Sequence, residues 1–272
     1  MSLVDPYGRE IRYLRVSVTD RCNYRCVYCM PEEGVPLKEH NDILSYEEIA
    51  RVAENAAGLG FERVRLTGGE PLVRRGIEQL VSLLSEIDGL NEVAMTTNAS
   101  LLTPGKARLL KEAGLSRINI SLDTLDPVRF AEITRGGRLD DVLAGIDAAL
   151  EADLRPVKIN MIVFEKTTEE EIEAMRAFCG GKGLVLQTIK QFSLYDRAGE
   201  PATDIPCDRP QPCELCDKLR LTADGYLLPC LFSDKEIEVD LEHIEMSLRR
   251  AVAAKPRKGT CCSNRLMCQI GG

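Results

Sequence analysis

The 272-residue sequence predicts an α/β fold: a TIM-like partial (β/α)6 barrel followed by a small, cysteine-bearing C-terminal region. Three observations carry this expectation. Short β-rich runs alternate with amphipathic helical patterns six times between Tyr13 and Phe192. Polar residues are distributed over all six runs, mostly at their C-terminal ends. Past Phe192 the alternation stops, and residues 193–212 are rich in Pro, Asp and Gly, as a linker or irregular segment would be. The expected division is therefore a barrel over 1–192 and a second region over 193–272.

The strand candidates are 13–18, 62–66, 92–96, 116–122, 157–163 and 184–189, and the helices between them 45–57, 76–86, 104–113, 139–152 and 168–178. Ser45 followed by Glu48 reads as a capping box, and Thr103 before Pro104 as an N-cap with proline in the first helical turn. Repeated β-α order implies parallel strands joined by right-handed crossovers. An open doubly wound sheet would gather its chemistry at one switch point. Here polar groups follow successive strands: 21–28, 67–71, Thr97 with Asn98, Ser121 with Asp123, and Lys190 with Gln191, while Lys158 and Asn160 lie within the fifth. Chemistry spread in this way marks a barrel mouth. Farther on, 219–222 and 226–228 flank Asp224-Gly225 as a hairpin, 241–253 reads as a helix, and the chain ends in Gly271-Gly272.

Composition narrows the function. The net charge is −8 with 44% apolar residues, an ordinary soluble balance and a poor one for non-specific nucleic-acid binding. No run approaches the roughly 20 apolar residues of a membrane span, and no secretory signal is visible. A cytoplasmic protein without nucleic-acid or membrane partners is expected. The two histidines, His40 and His243, exclude most histidine-built metal sites and triads. Eleven cysteines in such a chain point to metal or redox chemistry rather than a disulfide framework.

Cys22, Cys26 and Cys29 are the strongest feature. Three thiolates within eight residues of a loop can wrap one face of an iron–sulfur cluster and leave one iron open. A zinc loop is the competing reading, but zinc sites usually show paired two-cysteine knuckles and a fourth protein ligand. Cys213, Cys216 and Cys230 form a second candidate constellation, with a structural zinc completed by Cys207 as its alternative. Arg15 and Lys158 stand on apolar strands, where a buried charge requires an anion; an internal salt bridge to Asp123 or Glu70 would serve equally. Gly68 and Gly69 admit close backbone approach by a ligand, or simply make a turn. Arg21 and Arg25 fit a solvated face, and Cys179, Met95 and Met161 fit the core.

With Tyr28 before its last cysteine, the Cys-x3-Cys-x2-Cys loop resembles the signature of the radical S-adenosylmethionine (SAM) enzymes. Within that superfamily the chain resembles the GTP 3′,8-cyclases of molybdenum-cofactor biosynthesis. The resemblance is carried by Asp5-Pro-Tyr-Gly-Arg9, Leu14-Arg-Val-Ser-Val-Thr-Asp-Arg-Cys22, Cys29-Met-Pro31, Arg65-Leu-Thr-Gly-Gly-Glu-Pro-Leu72, Thr96-Thr-Asn98, Ser121-Leu-Asp-Thr-Leu125, Val157-Lys-Ile-Asn160, Leu219-Arg-Leu-Thr-Ala-Asp-Gly225 and Ile270-Gly-Gly272. It implies two 4Fe–4S clusters, one on Cys22, Cys26 and Cys29 and an auxiliary one on Cys213, Cys216 and Cys230. It also implies reductive cleavage of SAM to a radical that takes the 3′ hydrogen of GTP, followed by attack on C8 of the guanine. Tyr28, Gly69 and Ser121 would then contact SAM, and Arg15, Arg65, Thr97, Lys158, Lys218 and Arg220 would contact GTP. Arg15, Gly271 and Gly272 would take part in catalysis, the tail entering the active site with its carboxylate paired to Arg15 or Arg65. A flavodoxin or ferredoxin as electron donor and a homodimer complete the implied partners.

The sequence departs from the resemblance in places. Residues 193–212 are shorter than the corresponding family segment, Gln187 and Phe192 replace an arginine and a methionine, and Lys218 replaces an arginine. Cys207, Cys261, Cys262 and Cys268 are additional and could complete the auxiliary site. A related radical enzyme with a fully ligated auxiliary cluster and another substrate, such as a peptide, is the second expectation. A non-catalytic metal-binding protein is the third, and it leaves the strand-end polar residues unexplained.

Overall fold

The computed structural model describes residues 3–194 and 212–271. Strands β1 (Leu3–Val4) and β2 (Glu10–Ile11) pair antiparallel at its start. Then β3 (Tyr13–Ser17), β4 (Arg63–Thr67), β5 (Glu92–Thr97), β6 (Arg117–Ser121), β7 (Lys158–Val163) and β8 (Val185–Lys190) follow one another in parallel, as the alternation predicts. The crossovers carry α1 (Tyr46–Gly58), α2 (Ile77–Ser85), α3 (Pro104–Glu112), α4 (Pro127–Thr134), α5 (Leu139–Glu151) and α6 (Glu169–Lys182). Ser45 and Glu48 form the expected capping box, Thr103 caps α3, and Thr168 with Glu171 makes a second box on α6. Helix α4 is additional: Asp126 accepts from Val128 N and Arg129 N, and Pro127 occupies the first turn.

The C-terminal region supplies β9 (Lys218–Leu221), β10 (Tyr226–Leu228), β11 (Ile237–Glu238), α7 (Ile244–Ala253) and α8 (Met267–Ile270). The hairpin of β9 and β10 forms as expected, and it does not stand apart. Strand β9 lies parallel to β3, so one nine-stranded sheet runs β11-β10-β9-β3-β4-β5-β6-β7-β8. The sheet remains open between β8 and β11 among the described residues, which makes it a partial barrel.

Register divides the sheet into two chemistries, because alternate residues point to opposite faces. Leu14, Val16, Val64, Leu66, Val93, Met95, Ile118, Ile120, Ile159, Met161, Leu219 and Leu221 share the outer face and are at most 3% exposed. They pack with Ile49, Leu80, Leu110, Ile146 and Met175 of the covering helices, and Cys179 is buried there too. Each such side chain contributes about 1.5–3 kcal/mol of burial. The inner face carries Lys218, Arg220, Arg15, Ser17, Arg65, Thr67, Thr96, Asn119, Ser121, Lys158, Asn160 and Gln187. Hydrophobic packing thus lies outside the sheet, and the chemistry within its curve. Leu66→Ala should lower stability by about 2–5 kcal/mol in urea unfolding monitored by circular dichroism. A loss below about 1 kcal/mol would contradict this placement of the core.

Candidate active site

A cavity of about 190 Å³ opens at the C-terminal ends of the strands, lined by Cys22, Cys26 and Cys29 together with Tyr28, Gly69, Thr97 and Ser121. The cysteine loop leaves β3 and is braced by guanidinium groups. Arg25 Nη1 donates to Cys22 O at 2.7 Å, and Arg135 Nη1 donates to Arg25 O and Met30 O at 2.9 Å each. Arg21 is exposed, whereas Arg25 works as a brace rather than a solvated charge.

The two glycines after β4 answer to the chain itself. Gly69 N donates to Thr19 O and Glu70 N to Arg21 O, both at 2.8 Å. A Cβ on Gly68 would lie 2.5 Å from Thr19 O, and one on Gly69 would overlap Arg21 O. Only glycine permits this backbone-to-backbone seam, which joins the cysteine loop to the second strand's loop.

Burial dominates the electrostatics. It pushes the Cys22 thiol up to about 11 and the Cys26 thiol up to about 12, so both are protonated at neutral pH until a metal displaces the protons. Three soft sulfur donors on one cavity fit an iron–sulfur cluster. Two carboxylates not singled out as site residues from sequence share the wall. Glu70 accepts from Thr97 Oγ1 at 2.6 Å, Asn98 N at 2.7 Å and Leu72 N at 3.0 Å, while burial raises its pKa. Asp123 accepts from Tyr28 Oη at 2.9 Å and Ile162 N at 2.8 Å, and burial pushes its carboxyl up to about 6.

Below the mouth the inner face is basic. Arg220, Arg15 and Arg65 face one another in register on β9, β3 and β4, at a strand spacing of about 4.8 Å. Arg220 is 7% and Arg65 8% exposed. Lys218 lies two residues before Arg220, its Nζ 3.5 Å from Asp217 Oδ1, and Lys158 stands on β7. These five residues are on the sheet's inner face rather than among the side chains lining the cysteine cavity; Thr97 lines it.

The tail enters this space. Gly271 has φ +73°, a Cβ there would overlap Thr67 Oγ1, and its carbonyl accepts from Arg220 Nη1 at 2.5 Å. Gly272 with its carboxylate, like Cys207, lies outside the described residues. Arg265 ties the approach to α8 down through Asp224 at 2.8 Å and Glu236 at 2.7 Å, a role nothing in the sequence marks.

Beside Arg220 stand the second set of thiols. Cys216 N donates to Cys213 O at 3.1 Å, and that carbonyl also accepts from Arg9 Nη1 at 2.8 Å. Arg9 further donates to Pro256 O at 2.7 Å and to Asp5 at 2.5 Å, which explains the Asp5–Arg9 segment as a clamp. Lys255, missed from sequence, is 3% exposed. Its Nζ donates to Lys218 O at 2.6 Å, Pro229 O at 2.8 Å and Cys216 Sγ at 3.8 Å. Burial pushes the Cys230 thiol up and the neighbouring Lys255 and Arg220 cations oppose that shift, so a bound metal would displace its proton. Buried Cys262 hydrogen-bonds Asn264 Oδ1 at 3.2 Å, Cys261 is half-buried, and Cys268 lies with Cys29.

Gly69→Ala should displace the cysteine loop and sharply reduce iron incorporation, measured per chain after anaerobic reconstitution; wild-type iron content would contradict the seam. For Asp123 the folded carboxyl titrates at about 6 against 3.8 unfolded, so folding stability is full below pH 3.8 and falls as pH rises through 6. The loss is roughly 3 kcal/mol. Asp123→Asn should abolish that fall in urea titrations of the iron-free protein between these pH values. An unchanged slope would show that Asp123 is not the source.

The sequence profile of the radical SAM superfamily matches residues 16–179. The chain is 40% identical over a gapped alignment of 324 positions to a GTP 3′,8-cyclase of Pelotomaculum thermopropionicum, covering 98% of this chain and 99% of that one. It is also 40% identical over a gapped alignment of 332 positions to a GTP 3′,8-cyclase of Heliobacterium modesticaldum, covering 99% and 100%. Among solved structures, SuiB of Streptococcus suis bound to SAM matches with a TM-score of 0.69 at 16% identity, over 90% of this chain and 64% of SuiB. The SAM-bound anSMEcpe structure matches with a TM-score of 0.66 at 14% identity, over 91% and 78%. At such identities the structural likeness shows the fold, the same open barrel. The chain belongs to the radical SAM superfamily and, within it, to the GTP 3′,8-cyclase family.

Proposed function

We propose that the chain converts GTP to (8S)-3′,8-cyclo-7,8-dihydroguanosine 5′-triphosphate, using SAM held at a 4Fe–4S cluster on Cys22, Cys26 and Cys29. The observation that carries the substrate is the in-register row of Arg220, Arg15 and Arg65. Three neighbouring guanidinium groups repel one another, and a polyanion such as a triphosphate relieves that repulsion with forked, charge-assisted hydrogen bonds. Lys218 and Lys158 add point charges to the same face. When bound, the cluster supplies the electron that cleaves SAM into a hydrogen-abstracting radical.

The chain's own residues then bind, orient and exclude water. Gly69 and Ser121 offer a small-residue wall for SAM, and Asp123 fixes the Tyr28 ring beside it through the phenol. Glu70 holds Thr97 and the Asn98 amide in place. Arg15 lies at the centre of the row, and Gly271 brings the tail to its edge at Arg220. Cys213, Cys216 and Cys230 would hold the auxiliary 4Fe–4S cluster, with Arg9 and Lys255 positioning that loop and Arg220 within electrostatic reach of Cys216 and Cys230. A flavodoxin or ferredoxin donor, a homodimer and a cytoplasmic setting belong to the same reading through the family resemblance.

The test is anaerobic incubation with SAM and a reductant, with and without GTP, scoring 5′-deoxyadenosine and cyclised nucleotide. GTP-dependent formation of both is expected. Arg15→Ala and Arg65→Ala should each weaken GTP binding about tenfold or more, neither residue being the one that holds the tail. GTP affinity unchanged in both variants, with no cyclised nucleotide from the wild type, would overturn the reading.

A further inference from the structure

Arg265 does not line the cysteine cavity, and its guanidinium is turned instead onto the auxiliary hairpin. Nη1 donates to both oxygens of Asp224, at 2.8 and 3.0 Å, while Nε and Nη2 fork onto Glu236 at 2.7 and 2.9 Å. The group also lies over the Tyr226 ring, 5.3 Å from its centroid. The Arg265 side chain is 10% exposed, and those of Asp224 and Glu236 are 7% and 17% exposed. An exposed ion pair holds little, but a forked and largely buried one fixes direction as well as distance.

What it directs is the approach to the tail. Residues 260–265 form a strap between the two ends of the open sheet. Thr260 N donates to Phe232 O at 2.9 Å, beyond β10, and Cys262 N to Leu194 O at 2.6 Å, beyond β8. Asp234 accepts from Ser263 N at 2.6 Å and from Asn264 N at 3.0 Å. From the strap a single short helix leads to the site. Leu266 N donates to Gln269 Oε1 at 2.9 Å, Gly271 N to Met267 O at 3.1 Å, and the Gly271 carbonyl meets Arg220. Ile270 is fully buried with Leu194, Leu228 and Phe232, which draws α8 inward. Apolar burial is non-directional, so it does not set the angle of the helix. The fork on Asp224 and Glu236 does.

We propose that Arg265 is a positioning residue for the cyclisation: forked between Asp224 and Glu236, it locks the strap across the open side of the barrel and holds Gly271 at Arg220. The inference rests on the cyclase reading and on the tail's part in it. Arg265 touches no reacting atom and acts through α8. With the fork broken, the strap loosens, the tail leaves its seat, and SAM cleavage continues without matching attack on the nucleotide.

The test compares fully loaded wild type, Arg265→Met and Arg265→Lys without oxygen. Methionine keeps the stem over Tyr226 and removes the charge, and Asp224 retains Lys38 Nζ at 3.1 Å. Lysine keeps the charge but cannot fork onto two carboxylates. Two quantities are read: amide hydrogen exchange over residues 260–271, and cyclised nucleotide formed per 5′-deoxyadenosine with SAM, reductant and GTP. In Arg265→Met, exchange in the strap should be about tenfold faster or more, with strands β3 to β7 unchanged. The product ratio should fall about tenfold or more at unchanged iron content. Arg265→Lys should lie between methionine and wild type in both. Wild-type exchange or a wild-type product ratio in Arg265→Met would overturn the proposal. Loss of iron in that variant would also overturn it, since Arg265 would then serve the fold as a whole. Should Arg265→Met not fold, Glu236→Gln decides: it weakens one arm of the fork and should move both quantities in the same direction, and no movement sinks the idea. If the wild type makes no cyclised nucleotide, the cyclase reading fails and takes the coupling with it, whereas the exchange result still decides whether Arg265 holds the strap.

Discussion

Strand β3 is the constraint from which the rest of the molecule takes its position. It is hydrogen-bonded in parallel on both sides, to β4 and to β9, with Arg15 opposite Arg65 in one direction and Arg220 in the other. Its end launches the cysteine loop, and residues 19 and 21 of that loop form the backbone seam with Gly69 and Glu70. One strand therefore fixes the thiols above, the guanidinium row within and the auxiliary hairpin alongside. Leu14 and Val16, fully buried on its outer face, tie it to the helical layer. A one-residue slip of β3 would turn Arg15 into the apolar layer and Leu14 into the site, so the register is strongly specified.

Much of this was legible because periodicity reports burial. The six barrel strands and five of their helices follow from alternating apolar patterns and from caps such as Ser45 and Thr103, whose chemistry is local. Helix α4 escaped because its eight residues share one crossover with α5, although Asp126-Pro127 carried a start signal. The parallel seat of β9 was not legible. Its sequence shows a hairpin partner directly after Asp224-Gly225, whereas its other neighbour is some 200 positions away, and turn chemistry says nothing about that edge.

The site divides along the same line. Cysteine spacing announces a metal loop, and the glycines after β4 announce a close approach, but not that the approaching group is the chain's own backbone at Thr19 and Arg21. Glu70 and Asp123 read from sequence as salt-bridge partners for strand cations. Their hydroxyl and amide donors, Thr97, Asn98, Tyr28 and Ile162, appear only once separate loops converge. Lys255 and Arg265 have no sequence signature because a buried cation looks like a surface one until its partners are placed around it. Their partners are carbonyls, a thiol and carboxylates contributed by the hairpin region.

Arg220 shows how closely these parts are joined. Its guanidinium is buried, and burial by itself disfavours the charge, while Cys216 and Cys230 oppose that effect when they are thiolates. The same group donates to the Gly271 carbonyl and closes one end of the arginine row. A buried cation is tolerated only where anionic or carbonyl partners offset its desolvation. Here those partners come from the auxiliary loop and from the tail, two segments that do not adjoin in sequence. Gly271 and the second set of cysteines are thereby parts of one electrostatic arrangement, and each helps to keep Arg220 charged and aimed along the inner face of β3.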